Sequence, residues 1–97
     1  MLRTLAAAAM ALAATPAIAQ SYYAAVPATA PAKASIVTRT TVWKCEGGTC
    51  AAPRAGSRDA IMCELLVREV GPLQRFAAAG ADFDTAALDK CNARAKD

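Results

Sequence analysis

The sequence contains no histidine, so it lacks the residue that most often acts as a general base in enzymes. This absence also excludes the Ser-His and Cys-His arrangements of nucleophilic catalysis. Aromatic residues make up 5% of the chain, and its formal net charge of +3 is scattered rather than clustered. Neither feature indicates binding to nucleic acid. The composition therefore predicts a non-enzymatic protein without a cofactor.

The beginning of the chain, residues 1–19, has the three parts of a secretory signal peptide. Arg3 supplies the positive charge, residues 5–14 are uncharged and apolar, and Ala17-Ile18-Ala19 forms an A-x-A cleavage site. The apolar run is shorter than the roughly 20 residues that span a bilayer, so no membrane span is expected. We expect cleavage between Ala19 and Gln20 and a periplasmic or secreted mature protein.

Residues 20–34 are rich in alanine and contain Pro27 and Pro31. Alternating alanine and proline disfavours both helices and strand pairing, so this stretch is predicted to be a disordered linker. Residues 35–97 are then predicted to form one small α+β domain. A domain of about 60 residues has a marginal core, and its cysteines are the obvious reinforcement.

The first half of this domain is predicted to be a β-hairpin. Residues 35–44 are rich in Ile, Val, Thr and Trp, which favours a strand with the Trp43 face buried, together with Val37. Gly47-Gly48 predicts a tight turn, because glycine reaches positive φ at little cost. Residues 50–53 are predicted to return as a short second strand.

The second half is predicted to contain a helix, a short hairpin and a closing helix. Residues 57–70 show a helical stripe of apolar side chains, with Ser57 as N-cap and Gly71 as the stop. Residues 73–83 fit a hairpin that turns near Ala79-Gly80, with a helical segment as the alternative. Asp84 is predicted to cap the last helix, which extends from Thr85 to about residue 95.

The four cysteines are predicted to form two structural disulfides, as is typical of small exported domains. Their pairing follows from position along the chain. Cys45 and Cys50 flank the predicted turn, whereas Cys63 and Cys91 lie on the apolar stripes of the two helices. We therefore predict the pairs Cys45–Cys50 and Cys63–Cys91, although sequence spacing alone leaves three pairings open.

Two chemical roles for the cysteines are less well supported. A redox role for Cys45 and Cys50 lacks the Cys-x-x-Cys motif that catalytic dithiols place at a helix N-terminus. A zinc site lacks a second closely spaced cysteine pair, since Cys63 and Cys91 lie far apart in the sequence. No metal site is therefore predicted.

The candidate binding residues are Trp43, Arg54 and Arg58, near the predicted hairpin tip. Loops on a rigid scaffold often carry function, and tryptophan and arginine often anchor binding surfaces. We expect a binding or interaction module whose partner is another envelope protein or a small ligand. The alternatives are a thiol–disulfide redox protein and a structural or stress-related envelope protein.

Three segments, TVWKCEGGTC, SRDAIMCELLVREVGPL and FDTAALDKCN, together carry a resemblance to a known family. The chain resembles a family of short, exported, functionally uncharacterised alphaproteobacterial proteins with four cysteines. The resemblance covers about residues 38–94 and supports export from the cytoplasm. It implies no activity, ligand or site. The matching positions include Trp43, Cys45, Cys50, Ser57, Arg58, Cys63, Arg68, Gly71, Leu73, Phe76, Leu88, Cys91 and Asn92.

Overall fold

The computed structural model of the protein describes residues 21–95. The predicted signal peptide, residues 1–19, lies outside the described residues. Within residues 21–95, six strands and two helices form the small α+β domain that the sequence predicts. The strands are Tyr23–Pro27 (β1), Ser35–Thr38 (β2), Thr41–Glu46 (β3), Thr49–Ala52 (β4), Leu73–Ala78 (β5) and Ala81–Asp82 (β6), and the helices are Asp59–Val70 (α1) and Thr85–Asn92 (α2).

The strands form one antiparallel sheet in the order β2-β3-β4-β1-β5-β6. β1 therefore lies inside the sheet, between β4 and β5. The prediction of a disordered linker over residues 20–34, with the domain starting at residue 35, is wrong at β1. The backbone groups of β1 are paired by strands that come later in the chain, and Tyr23 and Ala25 are fully buried.

The predicted single strand over residues 35–44 is instead two strands, β2 and β3. They are joined by a two-residue turn in which Arg39 adopts a φ of 56°. The turn puts Ile36 opposite Trp43 on the buried face and turns Val37 outward, where it is 59% exposed. The prediction that Trp43 faces the core is therefore confirmed, whereas the placement of Val37 beside it is wrong.

Both helices cover one face of the sheet within the described residues. From α1, Met62, Leu66 and Val67 are buried against the aromatic side chains of the sheet. Full burial of an apolar side chain of this size contributes roughly 1.5–3 kcal/mol to stability, so this layer holds the fold together. No helix within residues 21–95 has the length and hydropathy needed to cross a membrane. The aromatic core consists of Tyr23, Trp43 and Phe76, with Phe83 packed edge-on against Phe76.

The helix ends agree in part with the sequence predictions. α1 has Arg58 at the N-cap position without a side-chain cap, so the prediction that Ser57 caps it is wrong. Gly71, at a φ of 86°, ends α1 as predicted, and its N–H donates to the carbonyl oxygen of Val67. Asp84 caps α2 as predicted, since its Oδ1 accepts a 2.8 Å hydrogen bond from the Ala87 N–H.

The disulfides join Cys45 to Cys50 and Cys63 to Cys91, as predicted. The first links directly opposed residues of β3 and β4, and the second links α1 to α2. α2 is also held to β5 by the side-chain amide of Asn92. Its Oδ1 accepts a 2.8 Å hydrogen bond from the Leu73 N–H, and its Nδ2 donates to the Leu73 carbonyl oxygen at 2.9 Å.

Candidate functional site

The sheet face opposite the helices, called the open face below, carries the less buried side chains of the strands. Strand register shows which side chains share it. Lys44, Ala51, Ala24, Ala77 and Asp82 are successive cross-strand partners from β3 to β6. Three alanines with short side chains therefore form the apolar centre of this row, with the cationic Lys44 at one end and the anionic Asp82 at the other.

A groove of about 740 Å³ crosses the β3–β4 half of the open face. It is called the open-face groove here, and its walls are β3, β4 and residues 53–56 of the loop that follows. Val42 and Ala51 contribute apolar surface, whereas Lys44, Glu46 and Arg54 contribute charge. This volume lies within the range of about 300–1,000 Å³ that is typical of small-molecule sites.

Arg54 is positioned by an aromatic stack. Its guanidinium carbon lies 5.5 Å from the centre of the Tyr22 ring, within the range of a cation–π contact. Tyr22 packs edge-on against Tyr23 with ring centres 4.7 Å apart, and Tyr23 is fully buried. The exposed arginine is therefore connected through two rings to the rigid core.

A second, smaller cavity of about 500 Å³ lies on the other side of Arg54. Arg58 and Ser57 line it together with Tyr22 and Arg54. The structure therefore brings together the two arginines that the sequence singled out. Both cavities share residues 54–56, so this short loop joins the open face to the beginning of α1.

Trp43 does not belong to this surface. Its side chain is fully buried on the helix-covered face, and its Nε1–H donates a 2.8 Å hydrogen bond to the hydroxyl of Thr38. The hypothesis that Trp43 anchors a ligand is therefore corrected: it is a core residue. The indole has no exposed surface, and its N–H is already hydrogen-bonded. It could therefore contact a partner only if β3 separated from the helices.

The two cysteines of the hairpin also face inward. Cys45 is 9% exposed and Cys50 is fully buried, and both belong to the apolar core. Gly47 and Gly48, at φ values of 59° and 84°, form the exposed turn beside them. The predicted turn is confirmed, but its tip presents backbone and Glu46 rather than sulfur. All four cysteines are paired, which is typical of proteins outside the cytoplasm.

The far end of the open face carries a paired charge. Arg75 Nε lies 2.7 Å from Asp82 Oδ1, and its Nη2 lies 3.1 Å from Oδ2. The hydrogen bond from Arg75, helped by its charge, holds the pKa of Asp82 below its ordinary value, and the same contact raises the pKa of Arg75. The charges of Arg75 and Asp82 therefore neutralise each other at this end of the open face.

Sequence reasoning missed Lys44 and Tyr22 as site residues. The turn at Arg39 determines which side chains of β3 face the helices, and it places Lys44 on the open face. Tyr22 belongs to the stretch that was predicted to be a linker. The available pattern was the alternation of buried Tyr23, Ala25 and Pro27 with the less buried Ala24 and Val26, but alanines on both faces make this alternation hard to recognise in the sequence.

A family model described as a family of unknown function (DUF8200) matches residues 5–93. The chain belongs to this family. No curated protein and no solved structure gives a significant match. The DUF8200 match extends across every described strand and helix, including β1, so the sheet as a whole falls within the family. Because the DUF8200 description assigns no activity, functional inference depends on the geometry of the open face.

Proposed function

We propose that this DUF8200 protein is a non-enzymatic binding module that works in the periplasm or outside the cell. The predicted signal peptide and the paired cysteines support export, with cleavage between Ala19 and Gln20. Its partner is an envelope protein or a small ligand, bound on the open face. One side of the sheet is covered by a disulfide-stabilised layer of helices, and the other side is uncovered. This arrangement suits a protein that binds a partner on the uncovered face.

The observation that carries this proposal is the open-face groove with Arg54 held at its edge. Two walls of the groove, β3 and β4, are regular strands, which hold side chains more rigidly than a loop does. Arg54 is oriented by the rings of Tyr22 and Tyr23, so less side-chain entropy is lost when a ligand binds it. Preformed concave surface and an oriented cation together support a binding role.

The redox alternative is less well supported by the geometry. Thiol–disulfide exchange requires a thiolate to reach a disulfide sulfur, and both Cys45 and Cys50 are buried in the apolar core. Reduction by dithiothreitol at neutral pH separates the alternatives. A binding module should keep Cys45–Cys50 oxidised until it unfolds, whereas a redox protein would exchange this bond in the folded state.

The binding proposal is tested by nuclear magnetic resonance of the isotopically labelled, disulfide-bonded protein. Envelope extract, separated into macromolecular and small-molecule fractions, is added while amide shifts are followed. We expect shifts concentrated in β3, β4 and residues 53–56 with at least one fraction. The proposal fails if no fraction moves these amides, or if the shifts fall on the outer surfaces of α1 and α2. Absence of any shift would favour a purely structural or stress-related envelope protein, whereas shifts on the helices would place binding on another surface.

A further inference from the structure

The open-face groove combines apolar surface with two cationic side chains, those of Lys44 and Arg54. Val42, which is 42% exposed, and the exposed Pro53 give the groove its apolar surface, whereas Ala51 is almost buried. Within residues 21–95, the ion pairs join Arg75 to Asp82 and Arg94 to Glu64, so Lys44 and Arg54 take part in neither. The groove therefore offers an anionic ligand two cationic side chains beside an apolar surface.

The charge count in the groove favours a single negative charge on the ligand. Lys44 and Arg54 contribute two positive charges and Glu46 contributes one negative charge, which leaves a surplus of one. A monoanion would neutralise this surplus, whereas a phosphate dianion would leave one negative charge uncompensated in the groove. Arg54 presents the planar fork of donors that matches a carboxylate.

From these features we propose that the open-face groove binds a free alkyl carboxylate, an apolar chain with one anionic head. The proposal rests on the binding function proposed above and names its ligand class. The carboxylate lies between Arg54 and Lys44, and the alkyl chain lies along Val42 and Pro53. Neutral ligands would leave the cations without a partner, and cationic ligands would be repelled by them.

The test uses sodium decanoate as the probe, below its micelle concentration, with the labelled, disulfide-bonded protein. Decyltrimethylammonium and decyl glucoside have the same alkyl length with a positive or a neutral head. We expect decanoate to shift amides of β3, β4 and residues 53–56 to saturation, and the other two probes to bind at least about tenfold more weakly. Added salt should weaken decanoate binding, because exposed charges are screened.

Variants identify the side chains responsible. Lys44→Gln and Arg54→Gln should each lower decanoate affinity by roughly 3- to 10-fold, as expected for loss of a charge-assisted hydrogen bond in a partly exposed site. Arg54→Lys should give an intermediate loss, because it keeps the charge but lacks the planar fork. The matched control, Arg68→Gln on the exposed face of α1, removes the same charge and should leave the affinity unchanged.

Three outcomes would overturn the assignment: no decanoate-induced shift on the open face, equal binding of the three probes, or unchanged affinity in both Gln variants. If extract fractions move the open-face amides while decanoate does not, the ligand class is wrong and the binding function stands. If neither moves them, both proposals fail. If one Gln variant does not fold, the other variant and the salt dependence of decanoate binding still test the proposal.

Discussion

At the scale of single residues, the Arg75–Asp82 pair gives a prediction about pH. The Arg75 hydrogen bond lowers the pKa of Asp82, so the ionised carboxylate favours the folded state. This contribution is present above the ordinary pKa of 3.8 and is lost as the pH falls through the lowered folded value. Both side chains are exposed, so the effect on stability is small.

Arg75→Gln should therefore raise the pKa of Asp82 toward its ordinary value. Carboxyl carbon resonances followed through an acid titration measure this shift directly. Arg39→Gln removes the same charge from the β2–β3 turn and should leave the Asp82 titration unchanged. An unchanged Asp82 titration in Arg75→Gln would show that the pair does not persist in solution.

Asn92 allows a second residue-scale prediction, because one amide makes two hydrogen bonds to the backbone of Leu73. Asn92→Ala should destabilise the protein by about 1–3 kcal/mol, since a partly buried N–H and C=O lose their partner. Asn92→Asp keeps the acceptor for the Leu73 N–H and should slow its hydrogen exchange relative to the Ala variant. Equal exchange in both variants would contradict the assigned contacts.

Local chemistry explains which residues could be predicted from the sequence. Asp84 was identified as a cap because an aspartate ahead of an apolar helical stripe satisfies free amides through its own side chain. Ser57 is not the N-cap of α1, because the helix begins one residue later than the sequence pattern predicts. Arg54 and Arg58 could be proposed from the sequence, but the aromatic support of Arg54 depends on Tyr22, whose position is set by distant strands.

At the scale of elements, the two disulfides should contribute unequally to stability. On the chain-entropy model, the separation of 28 residues between Cys63 and Cys91 corresponds to about 3.6 kcal/mol, and the separation of 5 between Cys45 and Cys50 to about 2 kcal/mol. Replacing Cys63 and Cys91 by Ala should therefore lower the unfolding midpoint more than replacing Cys45 and Cys50. Denaturant unfolding of the two double variants tests this order, and a reversed order would refute it.

The two hairpins with glycine-containing turns could be predicted from the sequence, whereas the β2–β3 hairpin, which turns at Arg39 and Thr40, could not. The turns at Gly47-Gly48 and Ala79-Gly80 are decided by glycines at positive φ, a property of a few adjacent residues. β1 was missed because nothing near it in the sequence pairs with it. Its partners, β4 and β5, follow at residues 49–52 and 73–78, and only they make an Ala- and Pro-containing segment into an interior strand.

At the scale of the whole molecule, the interior position of β1 predicts the effect of truncation. A chain that begins at Gln20 should fold, whereas one that begins at Ala28 should not, because it lacks the strand that joins the two halves of the sheet. Circular dichroism and amide spectra report the difference, with β-sheet signals and shift dispersion lost in the shorter chain. A folded chain from Ala28 would restore the linker interpretation and contradict the sheet order.

The place of β1 also bears on how the protein is made. β1 is the first described strand to leave the ribosome, but it cannot pair on both sides until β5 has been synthesised about 50 residues later. The two halves of the sheet can therefore join only near the end of synthesis. A chain threaded outward through a secretion channel would keep the two halves of its sheet apart for most of its passage, and the Cys63–Cys91 disulfide could form only after nearly all of the chain had crossed.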